Sequence, residues 1–85
     1  MDKLGHMRTF VTVAKLGSFS LAAKEFNVTP GMMSKQVKQL EDSLDVRLLN
    51  RTTRGVSLTH AGEIYIEKAV PILQSIEEIE GAVVE

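Results

Sequence analysis

The stretch from Ser18 to Glu41, SFSLAAKEFNVTPGMMSKQVKQLE, constrains the fold most, because it sets two helical patterns on either side of a three-residue turn. Ser18 or Ser20 is placed to cap a short helix ending near Phe26, and Asn27 follows as a residue that tolerates the left-handed conformation. Thr29 then caps a further helix, with Pro30 suited to its first position and holding Thr29 extended, as an N-cap requires. The inner face of that helix reads Met33, Val37, Leu40 and Leu44. Ala23 is small where the two helices would cross closely, and Phe26, Val28, Met33 and Val37 would wedge them apart at a fixed angle. The expected result is a helix-turn-helix over residues 19–38.

The flanks extend this motif on both sides. Leu4, Met7, Val11 and Ala14 recur at helical spacing, so residues 3–16 read as an amphipathic helix stopped by Gly17. After the helix-turn-helix, two short strands are expected, Arg47 to Asn50 and Val56 to Thr59, turning through Thr52-Thr53-Arg54-Gly55. Gly55 supplies the positive φ such a hairpin needs. A long last helix runs from Thr59, its N-cap, to Val83. Along it Gly62, Tyr65, Ala69, Ile72, Ile76, Ile79 and Val83 alternate spacings of three and four, the pattern of a helix–helix seam. Ile66, Val70 and Leu73 are left to pack on the preceding domain. Pro71 removes one backbone hydrogen bond within this helix and is expected to bend it.

Charge divides the chain at the same place. Up to Leu58 nine Lys/Arg oppose five acids, a net of +4, whereas from Thr59 onward Lys68 faces six acids, a net of −5. The overall charge of −1 therefore hides a basic part able to meet phosphate and an acidic part that should avoid it. With 85 residues there is room for one modest core and no second catalytic lobe. The absence of Cys removes disulfides and thiolate metal sites and fits a reducing cytoplasm. No apolar run reaches the roughly 20 residues of a membrane span, and the N-terminus lacks a signal peptide's apolar segment. His6 and His60 stand alone, without a His/Glu pair at ligand spacing, so no catalytic residue, metal site or cofactor is expected.

Four segments in this order, SFSLAAKEF, VTPGMMSKQVKQLE, RLLNRTTRGVSLT and the Thr-x-Ala-Gly from Thr59 to Gly62, resemble the LysR-type transcriptional regulators over the entire chain. The resemblance implies a mainly α fold: a winged helix-turn-helix of three helices plus a two-stranded β wing, then a long linker helix that pairs two copies. It implies a DNA-binding domain over 1–58, with the wing over 47–58, and a linker and dimerisation helix over 59–85. An effector-sensing domain normally follows in that family; the chain stops at Val84-Glu85 without a helix stop signal and is read as a fragment lacking it. Asp45 stands where the family usually has Gly, Leu49 where it usually has Phe, and Pro30 where Gln is frequent. Pro30 has no side-chain donor or acceptor, though it offers an apolar contact to a thymine methyl.

Within a helix-turn-helix the third helix enters the major groove by its N-terminal residues, so its exposed face is more than a solvated surface. Gly31, Ser34, Lys35 and Lys38 lie opposite the Met33/Val37/Leu40 stripe. Lys35 is the candidate for guanine O6/N7, Thr29 and Ser34 for phosphate or base, and Gly31 for close backbone approach. Met32 reads as a partly buried flank. Arg54, beside Thr53 at the wing tip, is expected to reach the minor groove. Lys38 reads as a phosphate contact, and Arg51 either as another or as the structural partner of Glu41 or Asp42. The seam residues Tyr65, Ala69, Ile72, Ile76, Ile79 and Val83 are the expected homodimer interface, with higher oligomers open to the full-length regulator. The partners expected are thus double-stranded DNA, at an imperfect inverted repeat, and a second copy; no membrane is involved. The competing reading is a winged domain used as a protein-interaction module without DNA.

Overall fold

Each helix starts on a side chain that accepts the backbone N–H of the third helical residue. The computed structural model describes residues 2–84, so the expectations that touch Met1 and Glu85 lie outside the described residues. The Asp2 carboxylate accepts from Gly5 N at 2.9 Å and opens α1, Lys3–Leu16. Ser18, rather than Ser20, caps α2, Phe19–Phe26, its Oγ accepting from Leu21 N at 3.2 Å. Thr29 Oγ1 accepts from Met32 N at 3.2 Å and opens α3, Pro30–Leu44. Thr59 Oγ1 accepts from Gly62 N at 3.0 Å and opens α4, His60–Val83. Such caps are worth about 1 kcal/mol each.

The first three helices end in the left-handed conformation, at Gly17 (φ 67°), Asn27 (φ 57°) and Asp45 (φ 55°). At the last of these, Asp occupies a backbone shape that glycine adopts without strain, which accounts for the glycine usual there. The turn from α2 to α3 is thereby fixed by Asn27 on one side and the Thr29-Pro30 cap on the other.

The core lies where α1, α2 and α3 meet, closed by the root of the wing and the first half of α4. Phe10, Val13, Ala22, Met33, Val37, Leu48 and Leu49 are fully buried, with Ala23, Leu40 and Ala69 nearly so. Thr9 Oγ1 donates to Gln36 Oε1 at 2.7 Å across the α1–α3 crossing, satisfying polar groups that enter the core. Three expected positions differ. Leu4 and Leu44 are 44% and 46% exposed, because they sit in terminal helical turns that project past the partner helices. The α1 inner face is carried instead by His6, Thr9, Phe10, Val11 and Val13. Val28, in the turn, remains 36% exposed, so the wedge between α2 and α3 is made chiefly by Met33 and Val37.

The wing is the antiparallel pair β1, Leu49–Thr52, and β2, Gly55–Leu58, in register Leu49 to Leu58 and Thr52 to Gly55. The first strand starts two residues later than expected. Arg47 and Leu48 are committed elsewhere: Thr59 Oγ1 donates to Arg47 O at 2.7 Å, Thr59 N to Leu48 O at 3.0 Å, and Leu48 N to Glu41 Oε2 at 2.7 Å. The hairpin closes over Thr53 and Arg54, with Gly55 at φ 125°.

The helix α4 runs unbroken through Pro71. Ile66, Val70 and Leu73 pack against the core as expected, but so do two residues assigned to the dimer seam. Ala69 is 2% exposed, and Tyr65 lies edge-on to Phe10 with ring centroids 5.3 Å apart. Both face their own protomer because α4 crosses α1 closely there, so Ala69 is closed off from a seam and Tyr65 is left only partly exposed. The Tyr65 hydroxyl is buried without a hydrogen-bond partner, and burial raises its pKa above the ordinary 10.0. The second half of the helix leaves the core on one side: Ile72, Ile79 and Val83 are exposed and Ile76 half-buried. A helix of 24 residues, about 36 Å long, thus gives the molecule its 45 Å long dimension.

Candidate nucleic-acid interface

The N-terminal half of α3 presents a continuous exposed face. Its cap exposes Thr29, and its first turn exposes Pro30, Gly31 and Met32, the last 48% accessible and so not the partly buried flank expected. Lys35 and Lys38 follow on the same side, both exposed. The face is held outward because Met33, Val37 and Leu40, on the opposite stripe, are locked in the core.

At the other end, Thr53 and Arg54 form the wing tip, both exposed. The tip is braced by Thr52, whose Oγ1 accepts from Arg54 N at 3.2 Å. Among the described residues, Arg51 is the one Lys or Arg side chain within ion-pairing distance of a carboxylate; Lys35, Lys38 and Arg54 have none. Cations left unpaired in water are the ones that can exchange small counterions for phosphates.

The two expectations held for Arg51 separate here. Its guanidinium lies 4.7 Å from the centroid of the Phe19 ring, with Nη2 3.9 Å from Glu41 Oε1 and Nη1 donating to Ser34 Oγ at 2.5 Å. The structural partner is therefore Glu41, not Asp42. Glu41 reaches further than its place on α3 advertises: Oε2 also accepts from Leu48 N at 2.7 Å and Leu49 N at 3.1 Å. One carboxylate thus fastens the root of the wing to α3, and Arg51 fastens the strand to α2 and α3.

Neither the Phe19 platform nor the two backbone bonds of Glu41 is visible in the sequence, since both depend on contacts across separate elements. The Thr-x-Ala-Gly segment was the available signal for a third attachment. There Gly62 brings α4 so close to Leu48 that a Cβ would overlap the Leu48 carbonyl oxygen. His60, in the same turn, is a surface residue 4.0 Å from Glu63. No cluster of His, Asp or Glu able to hold a metal occurs among the described residues, and no described helix is long and apolar enough to cross a membrane.

Three helices, a turn of fixed geometry, a two-stranded wing and unpaired basic side chains on both α3 and the wing tip define a winged helix-turn-helix of the nucleic-acid-binding class. Residues 4–63 match the family described as bacterial regulatory helix-turn-helix protein, lysR family, and the chain belongs to that family as its DNA-binding domain. Relatives include an HTH-type transcriptional repressor of Pseudomonas aeruginosa, 50% identical over 94% of this chain and 25% of its own length. Another is the HTH-type transcriptional activator AaeR of Escherichia coli, 38% identical over 93% of this chain and 26% of its own. The chain thus spans about a quarter of the length of these curated relatives. Among solved structures, the BenM DNA-binding domain in complex with catB site 1 DNA superposes with a TM-score of 0.89 at 30% identity, covering 95% of this chain and 91% of that one. Oxidised OxyR of Corynebacterium glutamicum gives 0.92 at 32% identity over 100% of this chain and 28% of that one.

Proposed function

We propose that this domain binds double-stranded DNA sequence-specifically as a homodimer, at an imperfect inverted repeat, to regulate transcription in the cytoplasm. The observation that carries the reading is the exposed α3 face, where Lys35 and Lys38 lie unpaired beside Pro30 and Gly31, joined to an equally unpaired Arg54 on the wing. In the major groove Lys35 addresses guanine O6/N7, Gly31 admits the backbone closely, and Pro30 offers an apolar surface to a thymine methyl. Thr29 and Lys38 bind phosphate, which positions the helix without reading sequence. Thr53 and Arg54 address the minor groove, where narrow A·T-rich geometry concentrates negative potential.

The dimer follows from the second half of α4. Ile72, Ile79 and Val83 form an exposed apolar stripe, with Ile76 at its edge, that the described chain leaves uncovered. A second copy placed there buries the stripe and presents two α3 helices to two half-sites. Solved DNA complexes of related domains, and relatives named as transcriptional regulators, support a binding domain rather than an enzyme. Higher oligomers belong to the full-length regulator.

Selection from a random duplex pool tests the reading. An enriched inverted repeat is expected, bound with a log–log salt slope of roughly −5 or steeper, since each phosphate contact contributes about −0.9. No enrichment together with flat salt dependence would leave the protein-interaction reading in its place.

A further inference from the structure

Ser34 lies one helical turn from both Gly31 and Lys38, on the α3 face assigned above to DNA. It is half-buried, and its hydroxyl is already engaged: Arg51 Nη1 donates to its Oγ at 2.5 Å. Arginine carries five donors and no acceptor, so in this pair Ser34 can only accept. The serine O–H hydrogen is left over, and no acceptor for it occurs among the described residues. The guanidinium is in turn held by the Phe19 ring and Glu41 Oε1, so it is not free to swing away. A hydroxyl that accepts from a cation is also polarised into a stronger donor.

We propose that Arg51 is a positioning residue that holds Ser34 with its hydroxyl hydrogen free to donate towards the DNA. On that arrangement, which rests on the DNA-binding reading, Ser34 engages an acceptor: a phosphate oxygen, or a base acceptor such as guanine O6 or N7 or thymine O4. Arg51 itself neutralises no phosphate. The wing thereby influences α3 through one side chain, and Ser34 differs from a free serine in that Arg51 already holds one of its two lone pairs.

The test is a double-mutant cycle on DNA affinity with Ser34→Ala, Arg51→Met and the double variant. Each is titrated with the duplex enriched by the wild-type chain and with a mixed-sequence duplex, over a series of salt concentrations. Ser34→Ala and Arg51→Met are each expected to weaken binding of the enriched duplex by about tenfold, and the double variant by little more than either alone. The salt slope of Arg51→Met should equal that of the wild type. Equal losses on both duplexes assign the acceptor to phosphate; a loss confined to the enriched duplex assigns it to a base edge.

Multiplicative losses, no loss for Ser34→Ala, or a slope reduced by about 1.8 in Arg51→Met, about 0.9 for each protomer, would each overturn the proposal. The last would make Arg51 a phosphate contact itself. Thermal unfolding without DNA is run on every variant, because Arg51→Met leaves Glu41 without its cation. If that variant does not fold, Arg51→Lys replaces it: lysine keeps the charge but lacks the flat fork that spans Phe19, Glu41 and Ser34, so the same tenfold loss is expected. Ser34→Thr retains the hydroxyl and should retain binding. A wild-type chain that binds neither duplex overturns the DNA reading and this proposal with it, whereas normal wild-type binding with multiplicative losses overturns this one alone.

Discussion

Gly62→Ala and Gly81→Ala make the same chemical change within α4 and should move stability in opposite directions. An added Cβ at Gly62 overlaps the Leu48 carbonyl oxygen and comes within 3.1 Å of Leu58 Cδ2, whereas at Gly81 it meets nothing within 4 Å. The Leu48 carbonyl cannot simply retreat, because it accepts from Thr59 N at 3.0 Å while Leu48 N donates to Glu41 at 2.7 Å. Overpacking of a tight core costs about 1–3 kcal/mol, a strained hydrogen bond about 1 kcal/mol more, and the alanine returns about 1 kcal/mol of helix propensity. The expected net loss for Gly62→Ala is about 1–3 kcal/mol, a fall in melting temperature on the order of 5–20 °C for a domain of this size. Gly81 lies in the last turns, where fraying reduces the propensity gain to about 0.5 kcal/mol, a rise of a few degrees. Urea denaturation followed by circular dichroism measures both. A Gly62→Ala variant as stable as the wild type, with an unchanged denaturant slope, would refute the close approach of α4 to the wing root.

Three further outcomes are expected. Ile79→Asp, at a residue 64% exposed and remote from the core, should give monomers in sedimentation and lower operator affinity at least about tenfold while α1–α3 and the wing stay folded; a dimeric variant with normal affinity would place the interface elsewhere. Tyr65→Phe removes a buried hydroxyl that has no partner, so stability should hold or rise by up to about 1 kcal/mol. The raised Tyr65 pKa sets a second readout for that variant: the neutral phenol's contribution is complete below pH 10.0 and is lost as pH climbs through the raised value, an alkaline decline that Tyr65→Phe should lessen in pH-dependent melts. Finally, Lys35→Ala should cost about 1–3 kcal/mol and relax preference at one major-groove position, whereas Arg54→Ala should weaken binding at flanking A·T-rich positions. Equal losses on specific and random DNA for both variants would contradict that division.

Local chemistry determined much of this protein before any tertiary contact is considered. Ser18, Thr29 and Thr59 as N-caps, Gly17 and Asn27 as left-handed stops, and Pro30 at the first helical position each act within a few residues. The helix boundaries were therefore legible in order of residues, as was the exposed face of α3, which needs only the period of its apolar stripe. What the sequence left open depended on which surfaces meet. The apolar stripe of α4 runs its whole length, so spacing alone could not tell that Tyr65 and Ala69 turn to their own core while Ile72, Ile79 and Val83 remain outside. Periodicity reports a face and not the identity of its partner. The same holds for Arg51, whose approach to Glu41 rather than Asp42 depends on an aromatic ring on α2 and a hydroxyl on α3 that its own sequence neighbourhood does not show. The strand starting at Leu49 rather than Arg47 has a like cause: Thr59 and Glu41, both distant in sequence, take the backbone groups of Arg47 and Leu48 before the ladder can. Short-range rules govern where elements begin and end, and long-range competition for the same hydrogen-bonding groups and apolar faces governs what they are used for.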